Sequence, residues 1–207
     1  MIDYSKWSSN LAYAVGLIAS DGNLSSDGRH IDLTSKDIEQ LENFQKCLEI
    51  THKISIKKSG YSDKEYSRIQ FSDVKFYRWL NGIGMTSKKS KTIANLKIPN
   101  RYFFDFLRGQ FDGDGCSYSY WDKRWHSSFM IYVSFVSASK DHMLWMSKKI
   151  EQLIGFVGRI DRVDSVYRLR YAKNASIVLF EKMYADYGAI ALTRKKTKVQ
   201  KALDENK

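Results

Sequence analysis

Proline is almost missing. A single one, Pro99, stands in 207 residues. Proline lacks an amide donor and pushes the preceding residue out of the helical region. The segment around it, IANLKIPNRYF, therefore reads as the seam between two halves, 1–98 and 99–207. Cysteine is scarce as well. Cys47 and Cys116 belong to no C-x-x-C pair, which excludes the usual zinc sites and speaks for free thiols in a reducing compartment. The four histidines, His30, His52, His126 and His142, lie far apart without H-x-H or H-E-x-x-H spacing. That spacing excludes compact histidine-based metal motifs and makes each one a surface or packing residue. No apolar run approaches the ~20 residues of a spanning helix. The first ten residues, MIDYSKWSSN, show no signal-peptide pattern. An intracellular protein with no membrane partner is expected, in the cytoplasm, the nucleoid or an organelle matrix. Acidic residues are outnumbered, 23 against 34 basic ones, for a net charge of +11. Such an excess is the footprint of a polyanion, and nucleic acid fits it through counterion release.

What is present is a repeat. Leu11–Gly22 (LAYAVGLIASDG) and Phe103–Gly115 (FFDFLRGQFDGDG) are apolar helices with small residues on one side and Asp-Gly at the end. Aligned, Gly16 falls on Gly109, Asp21 on Asp114 and Gly22 on Gly115. Each is followed by a strand that runs into Ser-Lys-Asp, at Ile31–Asp37 and Val133–Asp141, and then by a helix, Asp37–Leu48 or Asp141–Leu153. A basic cluster comes late in each half, Lys88-Lys89-Ser90-Lys91 and Lys195-Lys196-Thr197-Lys198. The order is kept while the spacing grows, so the second half has the longer first hairpin. Its extra residues are expected to form an aromatic and basic loop around positions 119–128.

Period-two alternation marks half-buried antiparallel strands. Lys53, Ser55 and Lys57 oppose Ile54 and Ile56. Arg68, Gln70 and Ser72 oppose Ile69 and Phe71. Arg168 and Arg170 oppose Tyr167, Leu169 and Tyr171. The polar faces suit base edges and phosphates. Helical spacing puts Leu41, Phe44 and Leu48 on one core stripe, Leu144, Ser147, Ile150 and Ile154 on another, and Val178, Phe180, Met183 and Tyr187 on a third.

The small residues explain the paired helices. Ala12, Gly16 and Ser20 recur every fourth position, as do Asp105, Gly109 and Gly113. Apart from Asp105 they let two backbones approach closely. Close packing would bring Asp21 and Asp114 together, and Gly22 and Gly115 are expected to end the helices in the left-handed conformation. Two converging carboxylates under a basic surface repel each other and call for a hard divalent cation such as Mg²⁺.

The doubled motif resembles that of the LAGLIDADG homing endonucleases in their single-chain form. LRGQFDGDG (Leu107–Gly115) is close to the family pattern. AVGLIASDG (Ala14–Gly22) is looser, with Ala19 where the family often has its first Asp. The resemblance covers about Leu11 to Leu203. It implies an α+β fold of two pseudo-symmetric αββαββα halves, each with an antiparallel β-sheet saddle for DNA, joined at two packed motif helices. It implies a monomeric, site-specific nuclease that hydrolyses both strands of a long double-stranded DNA and leaves short 3′ overhangs. Mg²⁺ would be the cofactor, with Mn²⁺ substituting and Ca²⁺ binding without supporting cleavage.

The implied metal ligands are Asp21, Asp114 and the carbonyls of Ser20 and Gly113. Implied helpers of catalysis are Ser35, Lys36, Ser139 and Lys140, with Lys89 and Lys196 from the late clusters. Ser35 and Ser139 stand where the family often has Gln. Implied DNA contacts are Lys53, Ser55, Lys57, Arg68, Gln70, Ser72, Lys88, Arg168, Arg170 and Lys195. Two alternatives use the same scaffold: a maturase acting on host intron RNA, and a DNA-binding protein without catalysis.

Overall fold

The buried face of the first helix sets the architecture. Helix α1 (Ser9–Asp21) is capped by Ser8, whose hydroxyl accepts from the Leu11 amide at 3.1 Å, and every residue from Leu11 to Ala19 is buried. A helix apolar on all sides must be covered on all sides. Its main cover is α5 (Phe103–Asp114). In this computed structural model, which describes residues 3–59, 62–125 and 128–206, the two helices touch backbone to backbone. A Cβ on Gly16 would lie 2.2 Å from the Phe106 carbonyl oxygen, and one on Gly109 2.1 Å from that of Tyr13. Any side chain at these two points would force the helices apart.

Each helix opens a sheet. After α1 come β1 (Gly22–Leu24), β2 (His30–Ser35), α2 (Ile38–Leu48), β3 (Ser55–Ser59), β4 (Ser62–Ser72), α3 (Val74–Gly82) and the short α4 (Lys89–Thr92). After α5 come β5 (Cys116–Trp121), β6 (Phe129–Ser137), α6 (Lys140–Ile154), β7 (Arg159–Val163), β8 (Val166–Ala172), α7 (Asn174–Met183) and α8 (Thr193–Glu205). Both sheets are antiparallel and four-stranded, ordered β1-β2-β4-β3 and β5-β6-β8-β7. The expected αββαββα order is present twice, each copy followed by one more helix. Among the described residues, no helix is long and apolar enough to cross a membrane.

The late segment of each half packs on the other half. In the first half it carries the Ile93 and Ala94 carbonyls, which meet the Ser139 hydroxyl and the His142 Nδ1 of the second. In the second half, the approach to α8 places the Ala191 carbonyl on the Asn43 amide and Arg194 on Asp37 at 2.6 Å. One hydrophobic core runs through both halves. His142 is buried in it, and burial pushes its pKa down to about 4. It is a neutral packing residue, while His126 lies outside the described residues.

Several expectations are corrected by packing. Gly22 and Gly115 are extended, with φ of −78° and −77°, because the chain passes directly into β1 and β5. Glycine is needed there for space, since a Cβ would meet the Cα of Ile18 at 2.7 Å or of Phe111 at 2.5 Å. On α6 the buried stripe is Met143, Met146, Ser147 and Ile150, turned so that Leu144 is exposed. Helix α7 ends at Met183, so Tyr187 lies beyond it and is 90% exposed, and Leu179 rather than Val178 is the buried residue. Ile56, on edge strand β3, is 68% exposed because the core stops short of that edge.

Candidate active site at the paired helix ends

Asp21 ends α1 and Asp114 ends α5, so the backbone contact at Gly16 and Gly109 carries both carboxylates to one place. The electrostatics follow from that placement. Burial, and then the Asp114 charge, push Asp21 up to about 6. Asp114 keeps solvent access, and the protein groups crowding its carboxyl raise it more weakly, with Lys89 and Lys195 pulling the other way. Gly113 leaves room at the contact: a Cβ there would lie 1.9 Å from the Ser20 hydroxyl and 2.8 Å from an Asp21 carboxylate oxygen. A cleft of about 230 Å³ beside Asp114 is lined by Ser20, Lys89, Gln110 and Ser137, among others.

A lysine stands on each helix end. Lys89 Nζ donates to the Ala19 and Ser20 carbonyls at 3.0 and 3.2 Å. Lys195 Nζ donates to those of Phe111, Gly113 and Gly115 at 2.6, 3.0 and 2.8 Å. The last carbonyls of a helix have no internal partner and carry the negative end of its dipole, so an ammonium suits them. Burial lowers both lysines, Lys89 to about 8, while Asp114 and Asp21 pull Lys89 back. The symmetric pair is thus Lys89 and Lys195. Lys196, expected as the partner of Lys89, faces away and donates to the Tyr187 carbonyl at 2.7 Å. Helical geometry decides this, since adjacent residues on α8 point about 100° apart.

Beyond the lysines the halves differ. Gln40 of α2 donates to Asp21 at 2.7 Å and accepts from the Ser35 hydroxyl at 3.0 Å. A glutamine therefore reaches the first acid from α2, one turn into the helix, with Ser35 behind it. Its position in a helix rather than at the strand end hid it from the sequence. Ser139 makes no such link. Its hydroxyl caps α6 by accepting from the His142 amide and donates to the Ile93 carbonyl. Among the described residues no hydrogen bond holds Asp114. Behind it, buried Asp112 accepts from the Tyr13 hydroxyl at 2.8 Å and the Leu192 amide at 2.7 Å, fixing the start of α8 and with it Lys195. Burial pushes Asp112 up to about 6. Ala19 occupies the equivalent place in α1.

The remaining expected residues line the two sheets. Gln70 and Ser72 are exposed on β4, where Arg68 approaches Asp32 at 4.0 Å. Lys57 and Ser55 lie on β3, and exposed Lys53 precedes that strand. Lys36 is exposed over the Tyr66 ring, while Lys88 and Lys140 are exposed at the starts of α4 and α6. Arg168 is paired with Asp161 at 2.7 Å, and Arg170 lies over the Tyr132 ring at 5.8 Å. The acids and the two lysines come together; these residues spread outward along the sheets.

Solved structures share this fold. The homing endonuclease I-WcaI, bound to its DNA recognition sequence, superposes with a TM-score of 0.64 at 12% identity, over 94% of this chain and 89% of that one. The I-LtrWI LAGLIDADG homing endonuclease, bound to target DNA, gives 0.59 at 13% identity over 95% and 90%. The chain has the LAGLIDADG fold. Full-length DUF199/WhiA from Thermatoga maritima gives 0.62 at 15% identity, and this chain, matched over its whole length, spans 63% of that protein. No family model matches the sequence, and no curated protein does. The fold is thus shared by proteins named as endonucleases and by one that is not so named.

The donor set suits a hard cation. Two carboxylates converge with their charges in opposition, which a divalent ion relieves. Among the described residues no group of three or more His, Cys, Asp or Glu is placed to hold a metal ion, so the other donors to such an ion would be carbonyls, phosphate or water. The Ser20 and Gly113 carbonyls each accept from a lysine. A carbonyl oxygen has a second lone pair, so they remain available.

Proposed function

We propose that this protein is a site-specific DNA endonuclease that acts as a monomer and cuts both strands of a long duplex in a Mg²⁺-dependent hydrolysis. The observation that carries the reading is the pair of helix-end carboxylates, each raised in pKa and each flanked by a half-buried or buried lysine. Binding alone has no use for opposed acids, whose repulsion costs stability. Asp21 and Asp114, with the Ser20 and Gly113 carbonyls, would hold Mg²⁺. Mn²⁺ would substitute, and Ca²⁺ would bind without supporting cleavage. Bound there, the ion supplies charge stabilisation at the phosphate and a more acidic water.

The chain's own groups do the rest. Lys89 and Lys195 each put an ammonium beside one acid, where negative charge builds on a phosphate. Gln40 holds Asp21 in one orientation. The sheets, with their Arg, Lys and Gln side chains, lie against the duplex on either side and set its register. One acid per half gives one cut per strand, leaving short 3′ overhangs as the resemblance implies. Asp21 must be ionised to serve, so activity should fall as pH drops below about 6.

A second reading, DNA binding without cleavage, is favoured by the occurrence of the same fold in DUF199/WhiA, which is not named as an endonuclease. A randomised duplex library incubated with and without Mg²⁺, followed by sequencing of the ends, separates the two. Paired, staggered ends that require Mg²⁺ support the nuclease. Duplexes bound but uncut under all conditions support the second reading.

A further inference from the structure

The first hairpin of the second half outgrows its counterpart. Strand β1 has 3 residues and β2 has 6, while β5 has 6 and β6 has 9. The added length carries aromatics on the face away from the core. Tyr118 pairs in register with Tyr132, and Tyr120 with Met130. The Tyr118 and Tyr132 rings stack at 4.6 Å and 9°, and Tyr120 lies parallel to both at 6.5 and 6.2 Å. Tyr118 is 38% and Tyr120 45% exposed. Arg170 adjoins the row, and Arg159 pairs with Arg170 on the same face. The corresponding face of the first sheet is polar, with Asn23, Asp32, Gln70, Thr34 and Arg68 in paired register.

We propose that this tyrosine row is a thymine-selecting surface, on which Tyr118, Tyr120 and Tyr132 meet C5-methyl groups in the major groove of one DNA half-site. The inference rests on the duplex-binding reading above. Apolar contact with the thymine methyl is how a side chain without a hydrogen-bond fork reads a base pair there. Tyr118 and Tyr132 already stack on one another, so the faces they turn to each other are taken, and Tyr120 lies parallel to both. That favours methyl contact over the flat stacking of unpaired bases. Basic neighbours supply phosphate attraction without competing for the base edge. Distance places the contact. Tyr118 and Tyr120 stand four and six residues beyond Asp114. At about 3.3 Å per strand residue and 3.4 Å per nucleotide, the thymines fall within about 4–6 base pairs of the acids.

The test is selection of bound duplexes from a random library without divalent metal, followed by affinity measurement on a selected sequence. Thymines should be enriched about 4–6 base pairs from the centre on one side only. Replacing them with deoxyuridine, which removes only the methyl, should weaken binding about fourfold per methyl. The same exchange in the other half-site should change nothing. The double variant Tyr118→Ser, Tyr120→Ser should lose most of the discrimination between the two duplexes, and Tyr118→Phe, Tyr120→Phe should keep it. Equal affinity for the thymine and deoxyuridine duplexes in the wild type overturns the inference and leaves duplex binding standing. Binding to no duplex overturns both.

Discussion

In the first half Asp21 is held by Gln40 and stands beside a short hairpin and a polar sheet. In the second half Asp114 has no such tether, and the sheet beside it carries a long hairpin with a tyrosine row. Yet both acids end helices that touch at glycine, and both have a lysine on the helix-end carbonyls. The halves share their element order and strand order, and their side chains match most closely where the two helices touch. Around that contact the partners of the acids, the hairpin lengths and the sheet faces differ. A duplicated chain needs its centre to stay matched, because two backbones in contact leave no room for a side chain on either. Its sheets, on the proposed function, would face different halves of a target and so be free to diverge.

The largest effects should come from breaking the shared centre. Asp21→Asn and Asp114→Asn should each lower double-strand cleavage at least about a hundredfold, since a lost metal ligand forfeits several kcal/mol of transition-state stabilisation. Duplex affinity measured by gel shift without metal should change little. Next, Gly16→Ala and Gly109→Ala should each destabilise by about 3 kcal/mol, at the upper end of overpacking, because both neighbours are backbone. Chemical denaturation should find the two penalties alike. A large difference would mean that the halves do not share the contact equally.

Smaller effects should expose the asymmetry. Gln40→Leu removes a hydrogen bond that lowers the Asp21 pKa. The acid limb of the cleavage profile should therefore move to higher pH, and a pH–rate series would show it. Leu144 sits on α6 at the place corresponding to Gln40, and its replacement should leave that limb unmoved. Smallest is a pH effect on folding. Asp112 rises from 3.8 to about 6 through burial, so the fold favours its neutral form. Stability from this group is full below the unfolded pKa and is lost as pH rises through about 6. Asp112→Asn keeps an acceptor for Tyr13 and Leu192. It should raise stability by on the order of 1–3 kcal/mol at pH 8 and by little at low pH. Thermal melts across that range would measure it.

The sequence showed the doubled helix, the paired acids and the second half's longer hairpin, because these follow from repetition and periodicity, while the αββαββα order came with the family resemblance. It did not show which lysine of the second cluster faces the acids. Lys195 and Lys196 have the same chemistry and differ only by a helical turn angle, which depends on where Leu192 is anchored by Asp112. Nor did it show Gln40, whose reach to Asp21 comes from the packing of α2 on α1. The left-handed ends expected at Gly22 and Gly115 failed for a plain reason. Glycine serves either conformational freedom or close approach, and the letter does not say which. The alternation that put Tyr118 and Tyr120 on one face was readable, but their stacking on Tyr132 required the strand register.

The central proposal is one shared catalytic site with one acid from each half. The most direct measurement compares wild type, Asp21→Asn and Asp114→Asn on one selected duplex with Mg²⁺, following cleavage of each strand separately. The account expects the wild type to cut both strands and both single variants to bind the duplex without cutting both. Full-rate cleavage of both strands by either variant would contradict it.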